Sequence, residues 1–353
     1  MAVWLTAGEA EQLRKLPGVT FVQRDWEREL HTDAGPAWVG ADSVWSGLPG
    51  LSPTKGEGII VGIIDTGINP SNPSFADIGP VDGHDHSNPW GAGTYVGVCD
   101  STDPSFDPTF PCNDKLIGAW GYSTANGAGD ARDYDGHGSH TASTAVGNHL
   151  DIAVDAPTIS MPISISGVAP HANIVAYAGC CAGSSLAAAI DQAIADGVDV
   201  INYSIGSSTP SDVWNNFDTV AYLNARTAGI FVAASAGNDG PGAETVGSPA
   251  DAPWLTTVGN STHDRTFENV LSNMAGGDTT PPPDMFGKSV TSGFGPAPII
   301  HAVDVGDAQC LTPFAAGICS GLIVVCDRGS IARVEKGANV LACGAGGVRT
   351  GQR

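Results

Sequence analysis

Strands alternating with helices predict an α/β protein built on a mostly parallel sheet. Three observations carry that prediction. Apolar runs of strand length recur, helical stretches rich in small residues lie between them, and turn formers separate the two, with 47 glycines and 24 prolines in 353 residues. Apolar residues make up 42% of the chain, enough for one large core with smaller attachments, and only 15% carry charge.

Residues 1 to about 31 read as a small charged unit too short to fold alone. Residues 9–16 have helical spacing, Pro17-Gly18 turns the chain, and residues 19–22 are rich in β formers. The alternation begins at Gly56. Strands are expected over residues 58–65, 174–178, 198–205, 229–236 and 254–258, and helices over 139–148, 185–196 and 213–227. In such a sheet, ligands bind at the carboxyl ends of the strands. After Asn260 the helical rhythm fades, and Pro281 to Pro283 with the glycine-rich stretch 291–296 marks a boundary. A second, β-richer region follows, with strands expected over 298–303 and 322–326 and an amphipathic helix over 331–338. No internal repeat is evident.

Fifteen Lys and Arg against 37 Asp and Glu give a formal charge of -22, which repels phosphate backbones and anionic lipid surfaces, so nucleic acid is not an expected partner. No run of about 18 apolar residues occurs, so no membrane span is expected. Eight cysteines are open to three uses, as core residues, metal ligands or disulfides, but no CxxC pair occurs and zinc is disfavoured. Cys99 and Cys112 bracket a Pro- and Asp-rich loop that a disulfide could staple, while Cys310, Cys319, Cys326 and Cys343 gather near the end. This usage favours export. No signal peptide precedes Met1, and the start reads as internal to a longer precursor.

Three residues stand where chemistry is expected. Asp65 ends the apolar run Val61-Gly62-Ile63-Ile64-Asp65, so its carboxylate emerges at the ligand-binding edge. His137 sits between two glycines in Asp135-Gly136-His137-Gly138-Ser139-His140-Thr141-Ala142, where close backbone approach and small side chains orient an exposed imidazole. Asn238 follows the apolar run ending in Ala233-Ala234-Ser235-Ala236-Gly237, and its amide suits a developing oxyanion. Alone, each also reads as a turn, cap or loop residue. Together they put an acid, an imidazole and an amide donor on one sheet. His140 reads as structural.

Here the chain resembles the subtilase family. Ile64-Asp65-Thr66-Gly67-Ile68, Gly136-His137-Gly138-Ser139-His140-Thr141-Ala142 and Ser235-Ala236-Gly237-Asn238 are similar to its aspartate, histidine and oxyanion motifs, in that order. The resemblance implies a subtilisin-like three-layer fold and a serine endopeptidase acting on polypeptides. Asp65, His137 and Asn238 would be catalytic. Ser204, Ile205 and Gly206 would line one side of the bound peptide, and Ala236 and Gly237 the wall opposite. It also implies that residues 1–31 are the end of an inhibitory propeptide, itself a binding partner, that 32–285 form the catalytic domain, and that 286–353 are part of an inserted protease-associated domain as in plant-type subtilases. No cofactor is implied, although calcium is compatible with the family and has no location in these residues.

The pattern breaks in two places. The family's serine lies in a Gly-Thr-Ser-Met-Ala-like segment, and none occurs here. Gly329-Ser330-Ile331-Ala332 is a superficial substitute inside the protease-associated pattern. The closing Gly347-Val348-Arg349-Thr350-Gly351-Gln352-Arg353 turns polar and basic where an apolar strand would continue. A truncated or shifted reading frame, and a chain inactive by itself, are the expectations. Two rivals are a peptide-binding pseudoenzyme and a nucleotide-dependent enzyme; the second lacks a GxGxxG turn after its first strand, where Gly67-Ile68-Asn69-Pro70 stands. His84 and His86 in a Gly/Asp/Ser loop read as solvated rather than as metal ligands, and Asn260-Ser261-Thr262 is a glycosylation sequon.

Overall fold

The computed structural model describes residues 35–123, 126, 127, 129–156, 159–240, 242–261, 268–289, 291–331 and 333–351. The expectations for residues 1–31 lie outside them.

Alternate residues of the central strands face opposite layers, as a period of two requires. In β1 (Ile60–Asp65), Ile60 and Ile64 join one apolar cluster, and Val61 and Ile63 join the other. Every residue of β1 and of β6 (Asn173–Ala178) is buried, the mark of parallel strands covered on both faces. The main sheet runs β2 (Val96–Gly97), β3 (Leu116–Gly121), β6, β1, β7 (Val200–Tyr203), β8 (Phe231–Ser235), β9 (Thr256–Val258), and all six pairings are parallel. Along the chain, β3 and β6 are separated by the strands of another, two-stranded sheet, β4 (Leu150–Ala156) and β5 (Ile159–Ile165).

Two short helices, α1 (Gly35–Trp38) and α2 (Ala41–Ser46), precede the sheet. α3 (His137–Val146) covers one face through Ala142 and Val146. α4 (Gly183–Asp196) and α5 (Phe217–Thr227) cover the other, α4 through Leu186, Ala189, Ile190 and Ala193, whose spacing forms one helical stripe. Gly197 closes α4 at φ +70°, a left-handed conformation in which its amide reaches back to Ala193 and Ile194. α5 begins later than periodicity suggests because Asn216 caps it, accepting from the Asp218 amide at 3.2 Å. The apolar Val213 and Trp214 belong to the preceding turn, where Asp212 accepts from the Trp214 amide.

The chain divides into two compact units, residues 1–152 with 163–263 and residues 153–162 with 264–353. Pro281 to Pro283 falls within the second unit, in the connection between the antiparallel strands β10 (Glu268–Leu271) and β11 (Met285–Lys288). The second unit also holds a parallel sheet of β12 (Ile299–His301), β13 (Ile323–Asp327) and β14 (Gly347–Gly351), with α6 (Arg333–Leu341) between the last two. The polar closing segment is therefore a strand up to Gly351. It lies at a sheet edge with Val348 exposed, so it needs no continuous apolar run. Disulfides Cys310–Cys326 and Cys319–Cys343 bury all four sulfur-bearing residues in the small core with Val324 and Val340. Cys99–Cys112 closes the expected loop, and Cys180–Cys181 is the fourth pair.

The loop histidines correct the sequence reading. His86 is buried rather than solvated, with Nδ1 2.6 Å from the Asp77 carbonyl oxygen, and His84 stacks on His171 at 3.7 Å between ring centroids. His171, distant in sequence, supplies the apolar ring face that covers the loop.

Candidate active site

Asp65 is the last residue of β1 and fully buried. Its backbone oxygen accepts from the amides of Gly179 and Cys180 just past β6, and its carboxylate accepts from the Thr66 amide at 2.8 Å. The same oxygen, Oδ1, accepts from His137 Nδ1 at 2.7 Å, and Thr141 donates its hydroxyl to Oδ2 at 3.2 Å. A buried carboxylate with these donors is held in one orientation.

His137 is the first residue of α3, two residues earlier than periodicity alone places the helix, and its side chain is 46% exposed. The hydrogen bond that its Nδ1–H donates to Asp65 lifts its pKa above the ordinary imidazole value; partial burial opposes this, and the charges of Asp65, Asp135 and Asp133 reinforce it. With Nδ1–H donating to Asp65, Nε2 is the nitrogen able to accept a proton. Gly136 lets the chain enter the helix at φ +100°. Gly138 has no Cβ because the Gly67 carbonyl occupies that space, which brings the end of β1 against the first turn of α3. His140, three residues on, is exposed.

The sheet register relates the remaining residues. Ile64 pairs with Tyr203 and Tyr203 with Ala234, so Asp65, Ser204 and Ser235 each stand one step beyond that row on adjacent strands. Asn238 follows three residues later, exposed, after Gly237 at φ +92°. The structure thus brings Asp65 and His137 into direct contact and puts Asn238 at the same carboxyl edge. Ser204, Ile205 and Gly206 leave the sheet where β7 ends. Ile205 packs against the core. The adjoining Ser207 amide donates to the Ser248 carbonyl at 2.8 Å. Ala236 is anchored by the hydrogen bond its backbone N–H donates to the Val258 carbonyl oxygen at 2.9 Å. Among the described residues, no group of three or more His, Cys, Asp or Glu is disposed to hold a metal ion.

Sequence reasoning missed the groups that support the pair. Thr66 and Thr141 lie inside the motifs already singled out, and Asp133 stands four residues before His137. Their signal was faint, because a hydroxyl or carboxylate in a turn has many uses.

Residues 56–339 match the Subtilase family. The chain is 38% identical over 358 residues to the subtilisin-like protease SBT1.4 of Arabidopsis thaliana, an alignment covering 95% of this chain and 43% of that relative. It is 34% identical over 384 residues to subtilisin-like protease SBT1.6 of the same organism, covering 98% and 46%, and 36% identical over 294 residues to SBT2.6, covering 77% and 34%. The chain spans less than half the length of these relatives.

Proposed function

The chain belongs to the subtilase family, and from that premise we propose that Asp65 and His137 are the proton-handling half of a serine endopeptidase that hydrolyses peptide bonds. The observation that carries the reading is the 2.7 Å bond between a fully buried carboxylate and a half-exposed imidazole at the carboxyl edge of a parallel sheet.

In this mechanism Nε2 of His137 takes the proton of a serine hydroxyl as it attacks the scissile carbonyl, then returns it to the leaving amine. Asp65 holds the tautomer with the proton on Nδ1 and stabilises the imidazolium. Asn238 donates its amide to the tetrahedral oxyanion, an interaction worth roughly 10²–10³ in turnover. The peptide lies between Ser204-Ile205-Gly206 and Ala236-Gly237, held by main-chain hydrogen bonds. The serine is not supplied by any Gly-Thr-Ser-Met-Ala-like segment of these 353 residues, so the chain alone is proposed to hold peptides without cutting them.

The wider assignment remains part of the proposal: propeptide remnant over 1–31, catalytic domain over 32–285, partial protease-associated domain over 286–353. Polypeptides and the protein's own propeptide would be the partners. Secretion is supported by the four cysteine pairs, which persist in oxidising compartments. Among the described residues no helix is long and apolar enough to cross a membrane.

The test begins with a serine-directed fluorophosphonate. The 353-residue chain is expected to stay unlabelled, and labelling would overturn the assignment of its role. Reading the gene beyond Arg353 then decides whether a serine segment follows. If it does, the extended protein should cleave a denatured protein substrate, and His137→Ala should lower turnover roughly 10⁶-fold, a figure taken from subtilisin itself. An extended protein that binds the substrate without cleaving it would instead favour a peptide-binding protein without catalysis.

A further inference from the structure

We infer that Asp133 is the positioning residue of the Asp65–His137 pair: its carboxylate ties the end of β1 to the first turn of α3 and so fixes where the imidazole stands. The inference rests on the reading of that pair proposed above.

Asp133 receives five hydrogen bonds. Oδ1 accepts from the Thr66 hydroxyl at 2.9 Å, the Gly136 amide at 2.8 Å and the Asp135 amide at 3.1 Å. Oδ2 accepts from the amide and the hydroxyl of Ser139 at 2.8 and 2.7 Å. Two of these donors are relays. The Thr66 hydroxyl also accepts from the Gly138 amide at 2.8 Å, and the Ser139 hydroxyl accepts from the Asn69 amide at 2.9 Å. Thr66 adjoins Asp65 and Gly138 adjoins His137, so each member of the pair is one residue away from a group held through this carboxylate.

The helix needs such a partner. Its cap position is Gly136, which has no side chain to satisfy the amides of the first turn. Asp133 supplies that cap from three residues upstream, with its charge at the positive end of the helix. Burial opposes ionisation of Asp133, but the bonds from Ser139, Gly136 and Thr66 outweigh it and hold the carboxyl below the ordinary range, so it stays charged while His137 titrates. The two bonds that tie α3 directly to Asp65, from His137 Nδ1 and the Thr141 hydroxyl, end on one carboxylate; the Asp133 contacts tie the same helix to Thr66 and Asn69 as well.

The test uses the chain as it is and needs no catalysis. Three acids, Asp65, Asp133 and Asp135, act on the His137 ring, so its titration and its Nδ1 proton are read by NMR in the wild type and three variants. Asp133→Asn removes the charge and sets an amide against the donors of Gly136 and Ser139. Thr66→Val and Ser139→Ala each cut one relay and leave every charge in place. The Nδ1–H resonance of His137 should broaden or be lost in Asp133→Asn, and the titration midpoint should fall by about half a unit or more. A smaller fall in the same direction is expected in the two relay variants, where electrostatics alone predicts none. Unchanged His171 resonances at the far end of the sheet certify the fold. Should Asp133→Asn not fold, the relay variants carry the test. An unaltered His137 signal in folded Asp133→Asn, or in both relay variants, would overturn the inference. A wild-type His137 that titrates as a free imidazole without a bonded Nδ1 proton would instead overturn the pair itself, and the inference with it.

Discussion

His137 and His171 stand at opposite edges of one sheet, and both touch carboxylates at short range. His137, beyond the carboxyl end of β1, gives Nδ1 to Asp65 and leaves Nε2 able to accept a proton. His171, just before β6, is committed on both sides, with Nδ1 2.6 Å from Glu57 and Nε2 2.9 Å from Asp82. Its surroundings are cationic as well as acidic. Lys55 lies 3.6 Å from Asp82, and the buried Lys115 donates to the carbonyls of Pro170 and Ala172. The difference separates an imidazole with one nitrogen left to take up a proton from one that ties loops together through both: a carboxylate neighbour serves both, and only an uncommitted nitrogen can act as a base.

The sharpest way to break this comparison is to remove the acid at each edge. If a serine segment follows in the gene, Asp65→Asn in the protein so extended should lower kcat about 10⁴-fold, the loss seen when a triad carboxylate is neutralised. Asp82→Asn should leave kcat near the wild-type value. Equal losses from the two would erase the distinction.

Opposite pH signatures sharpen it next. His137 is raised, so the stability it contributes is fully present below about 6.5 and lost as the pH rises through its folded value. His86, beside His171, is pushed to about 4 by burial, with Lys115 adding to the effect and the Asp77 and Pro170 carbonyls opposing it. The unfolded state therefore binds this proton first, and stability is lost as the pH falls from about 6.5 toward 4, by a few kcal/mol at most. Urea unfolding of wild type against His86→Gln should show the wild type losing ground over that interval; a flat difference would refute the buried neutral ring.

The smallest effect belongs to the clasp. His171→Gln should cost about 1–2 kcal/mol in urea unfolding, because its carboxylate partners are partly exposed and water replaces part of what is lost. It should leave the His137 titration untouched. A shifted His137 midpoint would mean that the two edges are coupled through the sheet.

The fold was legible because its signals are local. The apolar run ending at Asp65 and the small-residue stretch after His137 obey the periods of strand and helix whatever surrounds them. Boundaries were less legible. Val213 and Trp214 extended an apparent helix that Asn216 in fact begins, and α3 starts at His137 because Asp133 caps it from upstream. The loop with His84 and His86 looked hydrophilic, since nothing local announces that His171 stacks on it from 85 or more residues away.

The sequence by itself determined which residues could do the chemistry and that they belong at one sheet edge, because strand direction and residue type are written along the chain. Only the tertiary structure decided which carboxylate meets which imidazole. Asp65 and His137 lie 72 positions apart. Their contact depends on a glycine-to-glycine approach and on hydroxyl relays through Asp133, and hydrogen bonds of that kind acquire direction only once the packed backbone has fixed where each donor points.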